Sequence, residues 1–86
     1  MIEMTVKEMR AEVKALNKFL YNNVDVDMRV NVMNRKNELF LAKGYNAKYL
    51  RATARKEEVQ DYLGCMIKAF SDCHIDLDDF YYYDED

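Results

Sequence analysis

Eighty-six residues without a single proline, and with glycine only at Gly44 and Gly64, leave few places where the chain can turn sharply. An all-β chain of this length needs many tight turns, and Gly and Pro supply most of them. Long helices with few connections are the economical alternative. The sequence therefore predicts an all-α fold. A chain this short builds one core, and half of its residues are apolar while a third are charged, which is a globular balance.

The first element is the plainest. Thr5-Val6-Lys7-Glu8 has the form of a capping box, in which hydroxyl and carboxylate satisfy the free amides at a helix start. Val6, Met9, Val13, Leu16 and Leu20 then follow at spacings of three and four, with Lys7, Arg10, Lys14 and Lys18 around the rest. A helix over 5–22 is expected. The second segment carries two patterns. Val24, Val26, Met28, Val30 and Val32 alternate with polar residues, as in a half-buried strand. Val26, Val30, Met33 and Phe40 also fit a helical stripe interrupted by Asn37, and Gly44 is a natural left-handed stop. The helix, over 27–43, is the preferred reading.

The third element reads as a helix from Asn46 to Cys73, strongest in its second half, where Val59, Leu63, Met66, Phe70 and Cys73 form a stripe beside Tyr62 and Ile67. The stripe lapses at Arg55-Lys56-Glu57-Glu58, so the helix either protrudes there or breaks in two. Gly64 suggests a close helix contact. Together these make a compact three-helix bundle over 1–75, followed by an acidic, aromatic tail over 76–86. The alternative is an α+β fold with a small two-stranded pairing of 24–32 with 75–83.

Charge divides along the chain. Residues 1–69 hold all thirteen Lys and Arg against nine Asp and Glu, a charge of +4, while residues 70–86 hold seven acids and no base, a charge of −7. The tail places Phe80, Tyr81, Tyr82 and Tyr83 among Asp76, Asp78, Asp79, Asp84, Glu85 and Asp86. Aromatic side chains give rigid apolar contact and acids give steering, so this segment is the expected partner-binding element. In the body, Lys48, Arg51 and Arg55 would share one helix face with Lys56 alongside, an alternative basic face for phosphates or an acidic surface.

Catalytic chemistry has little to stand on. His74 is the single histidine, Ser71, Thr5 and Thr53 lie in no nucleophile elbow, and the isolated glycines make no phosphate loop. Cys65, Cys73, His74, Asp76 and Asp78 match no zinc spacing. A calcium loop begun at Asp72 would put Leu77 where Gly is needed and Tyr83 where Glu is needed. No catalytic residue, metal or cofactor is expected. Cys65 and Cys73, eight residues apart on one helix, are too distant to bridge and read as reduced thiols. No run nears the roughly 18 apolar residues of a membrane span, and Met1-Ile2-Glu3-Met4 lacks the start of a signal peptide. A cytoplasmic location is expected.

The sequence thus predicts a small non-enzymatic regulator or inhibitor that binds a larger protein. A basic nucleic-acid-binding surface, occupied by the acidic tail through mimicry, would suit it as target. The alternative is a nucleic-acid-binding helical domain with an autoinhibitory acidic tail, although the pI of about 5.1 disfavours direct nucleic-acid binding. Homo-oligomers are compatible with the sequence. Small size, abundant Asn, Lys and Tyr, and the acidic aromatic terminus resemble in general composition phage-encoded accessory proteins, with no motif behind the likeness.

Overall fold

A computed structural model of the chain describes residues 4–46 and 48–77. Three helices follow one another, α1 (Val6–Asn23), α2 (Val26–Ala42) and α3 (Lys56–Asp72), with no strand among the described residues. The all-α bundle is the fold. Residues 24–32, the strand of the alternative pairing, instead enter α2 after a two-residue corner. The acidic positions Asp78, Asp79, Asp84, Glu85 and Asp86, with Phe80, Tyr81, Tyr82 and Tyr83, lie outside the described residues. Asp76 is exposed just beyond the end of α3.

α1 starts where its capping box places it. The Glu8 amide donates to Thr5 Oγ1 at 3.1 Å and the Thr5 amide to Glu8 Oε1 at 2.8 Å. Met9, Val13, Leu16 and Leu20 are buried as their spacing requires, and Val6 is half-buried. The corner into α2 is held by Arg29. Its guanidinium donates to the Tyr21 and Val24 carbonyls at 3.2 and 3.3 Å and lies 4.6 Å from the centre of the Tyr21 ring. Carbonyls left without partners at the α1 terminus are thereby satisfied.

The buried stripe of α2 differs from the expected one. Val26 and Val30 are 61% and 51% exposed, whereas Val32, Lys36 and Phe40 are buried, with Met33 and Leu39 partly covered beside them. α2 is apolar on two sides, and the side carrying a lysine faces the core. Gly44 ends the helix at φ +104°, a conformation that costs glycine little.

The third helix begins at Lys56, ten residues later than the sequence suggested. In a helix from Asn46, the carbonyls of Lys48, Arg51 and Ala52 would accept from amides four residues on. Here they are engaged by other elements: Lys36 Nζ donates to Lys48 at 2.6 Å, and the Arg10 guanidinium to Arg51 at 2.8 Å and Ala52 at 3.2 Å. Residues 43–46 and 48–55 form an irregular crossing, hereafter the 43–55 crossing, whose Tyr45, Leu50 and Ala54 pack on the core. Glu57 and Glu58 occupy the first turn of α3, where acids favour the helix dipole.

α3 is the central element, packed along both other helices through Val59, Tyr62, Leu63, Met66, Ala69 and Phe70. Phe70 meets Phe19 of α1 at a ring separation of 6.2 Å, and Phe40 of α2 stacks on Tyr45 at 4.3 Å and meets the edge of Tyr62 at 5.0 Å. Gly64 makes no close contact: it is exposed, and an added Cβ would meet nothing within 4 Å. At the C-terminus, Ile75 N–H donates to Phe70 C=O and His74 N–H to Ser71 C=O, a Schellman closure with His74 at φ +61°. Arg35 anchors this end to α2 by a 2.8 Å bond to Asp72. Cys65 is buried and Cys73 half-buried, both as free thiols.

A basic, tyrosine-lined groove

Two adjoining recesses open between α1, α2 and the 43–55 crossing, sharing Asn17, Tyr49 and Tyr62 as walls. The first adds Arg10, Val13, Lys14 and Leu50. The second, about 330 Å³ in volume, adds Tyr21, Met33, Lys36, Asn37 and Lys48. No Asp or Glu is among the described residues lining either one. Among the described residues the groove carries four cations and no acid.

Each wall has a local origin. Arg10, Lys14, Asn17 and Tyr21 recur every three or four residues on α1, so they line one strip beside its buried stripe. The irregular path of the crossing turns Lys48 and Tyr49 outward, and Tyr49 is 75% exposed. Tyr21 is 59% exposed on the opposite rim. Two exposed tyrosine rings thus flank a strip of cations, with the Arg29 guanidinium on the Tyr21 ring.

Lys36 is the unusual member. Its side chain is 1% exposed, and its Nζ donates to the Lys48 carbonyl at 2.6 Å and the Tyr62 hydroxyl at 2.9 Å. An ammonium carries three donors, and no carboxylate approaches it among the described residues. Burial lowers its pKa from 10.5 to about 8, slightly offset by the Cys65 thiol. Beside it in the same recess, Asn37 Oδ1 is buried and accepts no hydrogen bond. Lys36 Nζ also lies 4.5 Å from the centre of the Tyr62 ring, a cation–π contact.

Basic positions expected to share a helix face do not. Lys48 and Arg51 lie in the crossing, Arg55 caps α3 without a side-chain bond, and Lys56 is its first residue. Arg51 is bound to Glu58 by bonds of 2.7 and 3.2 Å, and that guanidinium holds the Glu58 carboxyl below its usual range. Of the four, only Lys48 lines the groove just described. Lys14, Lys36, Asn37 and Tyr49 gave no functional signal in the sequence. One was available for Lys36: a lysine midway between Val32 and Phe40, four residues from each, is a cation in an apolar stripe.

Among the described residues no three His, Cys, Asp or Glu side chains converge as a metal site would need, and no helix is long and apolar enough to cross a membrane. No family model, curated protein or solved structure matches the chain.

Proposed function

We propose that this chain is a small non-enzymatic regulator that binds a larger protein, and that its ligand-accepting surface is the groove between α1, α2 and the crossing. The observation that carries the reading is that Arg10, Lys14, Lys36 and Lys48 line two adjoining recesses with no acid among the described lining residues. Such a surface favours an anionic segment. Exposed Lys14 and Lys48 mainly steer encounter, each pair being worth about 0–1 kcal/mol at physiological salt. Tyr21 and Tyr49, once covered, act as anchors that slow release.

The acidic aromatic segment, with Asp76 at its start, is a second contact in this reading. Its six acids and absence of base over 76–86 suit a basic surface on the partner, including one that otherwise holds nucleic acid. Direct binding of single-stranded nucleic acid is the competing reading, favoured by two exposed tyrosines beside cations.

Amide chemical-shift mapping tests the two together. An Asp- and Tyr-rich peptide is expected to shift Lys14, Asn17, Lys48 and Tyr49, and Lys14→Glu with Lys48→Glu is expected to abolish the effect. An oligothymidylate at physiological salt is expected to leave these amides unmoved. Shifts from the oligonucleotide alone would replace the protein-binding reading with the nucleic-acid one.

A further inference from the structure

We propose that residues 78–86 of the chain dock on the exposed rim of its own basic groove, an autoinhibitory contact that a partner must displace. The proposal rests on the groove being the ligand surface, and it names what occupies that surface while the chain is alone.

Charge is segregated on α1. Lys7, Arg10, Lys14 and Lys18 follow one another at spacings of three, four and four, so they share one face, while Glu8 and Glu12 lie on the opposite one. Lys7, Lys14 and Lys18 are exposed, and Arg10 and Lys14 line the groove. Lys48 stands exposed on the far wall, in the crossing. The complementary charge is concentrated in one stretch: six of the sixteen acids fall within 76–86, which holds no base. Acids on α3 serve elsewhere, Glu58 on Arg51 and Asp72 on Arg35 and Lys68. The acidic stretch also carries Phe80, Tyr81, Tyr82 and Tyr83, aromatic partners for the exposed Tyr21 and Tyr49 rings at the groove rim.

Topology brings this stretch within reach. Phe19 meets Phe70, and Arg10 bonds to Arg51 and Ala52 shortly before α3 begins, so α1 and α3 run in the same direction. The end of α3 and Tyr21 therefore share one end of the bundle, and Leu77, five residues past Asp72, still packs on the core. Nine extended residues span about 30 Å. Lys14 lies seven residues back along α1 from Tyr21, roughly 10 Å of helix, which leaves about 20 Å for the path round the end. Tethering makes the contact intramolecular, at an effective concentration on the order of millimolar, so weak surface pairs suffice to hold it much of the time. A fixed acid in the groove would neutralise it permanently. A tethered one yields to a partner's acidic segment and is then available for that partner's basic surface.

Amide chemical shifts of the full-length chain test this, comparing the parent with a variant carrying Asp78→Asn, Asp79→Asn, Asp84→Asn, Glu85→Gln and Asp86→Asn. The Lys14, Lys18, Lys48 and Tyr49 amides are expected to differ between the two at low salt, and the difference to shrink as sodium chloride is added. Dilution is expected to leave it unchanged. An N-acetylated, C-amidated peptide of alternating Glu and Tyr is expected to bind the variant about three- to tenfold more tightly than the parent, as docking in roughly 70–90% of parent molecules implies. Lys14→Glu with Lys48→Glu is expected to shift the amides of residues 78–86 as salt does, and Asp84→Lys, Glu85→Lys and Asp86→Lys added to that pair to reverse the shift. Differences that fade on dilution would overturn the intramolecular contact and assign the groove to the terminus of a second copy. Groove amides indifferent to the terminal substitutions, with peptide bound equally by both chains, would overturn the docking and leave the groove reading standing. Unmoved amides with peptide bound by neither chain would overturn both.

Discussion

Lys36 makes stability depend on pH in an unusual direction. Its folded-state pKa lies below its unfolded value, about 8 against 10.5. Below pH 8 both states hold the proton and the folded state bears the full cost of burying it. Between the two values the unfolded chain binds more protons than the folded one, so stability rises with pH. With half of the folded amines already neutral at pH 8, the rise between pH 8 and 9 is about 1 kcal/mol, close to the limit of 1.36 per pH unit for one proton. Other shifted groups act in the opposite sense. Burial raises the Cys65 thiol, and the bond to Asp61 raises Tyr45 to about 12, so each loses stability as pH climbs past its ordinary value near 9 or 10. A stability maximum near pH 9–10 follows.

Urea unfolding monitored by circular dichroism at pH 7, 8, 9 and 10 measures this, with Lys36→Met as control. The variant's absolute stability mixes several terms, since it removes a desolvated cation and deprives Lys48 C=O of its donor. The slope is therefore the observable. It is expected to be positive between pH 8 and 9 in the parent and flat or negative in the variant. A parent with no rise, or a variant that keeps it, would refute the description of Lys36 as a buried cation without a counter-ion.

Gly64→Ala, exposed in mid-helix with open space around its Cβ, is expected to stabilise by about 1 kcal/mol and raise Tm by roughly 4–8 °C. His74→Gly relieves a left-handed residue at the end of α3 and is expected to add about 1 kcal/mol in the same melts. Val30→Ser on the exposed side of α2 is expected to change stability by no more than about 0.5 kcal/mol. Val32→Ala, four residues before Lys36, removes buried methyl groups and is expected to cost about 1–3 kcal/mol. Equal effects at Val30 and Val32 would show that the facing of α2 is misassigned.

How much could be read from sequence depends on how local the deciding interactions are. α1 was legible in full because a capping box and a single apolar stripe settle it without reference to the rest of the chain. α3 was legible from Val59 onward for the same reason. α2 was legible as a helix but not in its facing. Val26, Val30 and Leu41 lie on one side and Val32, Met33 and Phe40 on another, so periodicity cannot choose. The choice is tertiary: the Lys36 stem is apolar enough to be buried, and its amine finds Lys48 C=O and Tyr62 OH across the bundle. The false start of α3 at Asn46 has a similar cause, since Arg10 takes its carbonyls from 41 residues or more away. The groove was the least legible, because it assembles α1, α2, α3 and the crossing.

The placement of the acids argues for a groove kept open. Glu58 binds Arg51, Asp61 accepts the Tyr45 hydroxyl, and Asp72 bridges Arg35 and Lys68. Acids thus hold elements together elsewhere, while the groove has amides, Asn17 and Asn37, where carboxylates of the same shape would neutralise its lysines. Were the groove only scaffold, an Asp at position 17 would serve it better. It would lie three residues from Lys14 on the same helix face and in the recess that holds Lys36. Asn17→Asp is therefore expected to stabilise the fold at pH 7 by a few tenths of a kcal/mol, up to about 1. It is also expected to weaken binding of the acidic peptide, because the new carboxylate repels the incoming ones and takes up their cations. Stability and affinity should move in opposite directions, the usual cost of neutralising a functional site. Thermal melts and calorimetry on one preparation decide it. If the variant gains stability and binds acidic peptide as tightly as the parent, the unneutralised charge of the groove is not what receives the ligand.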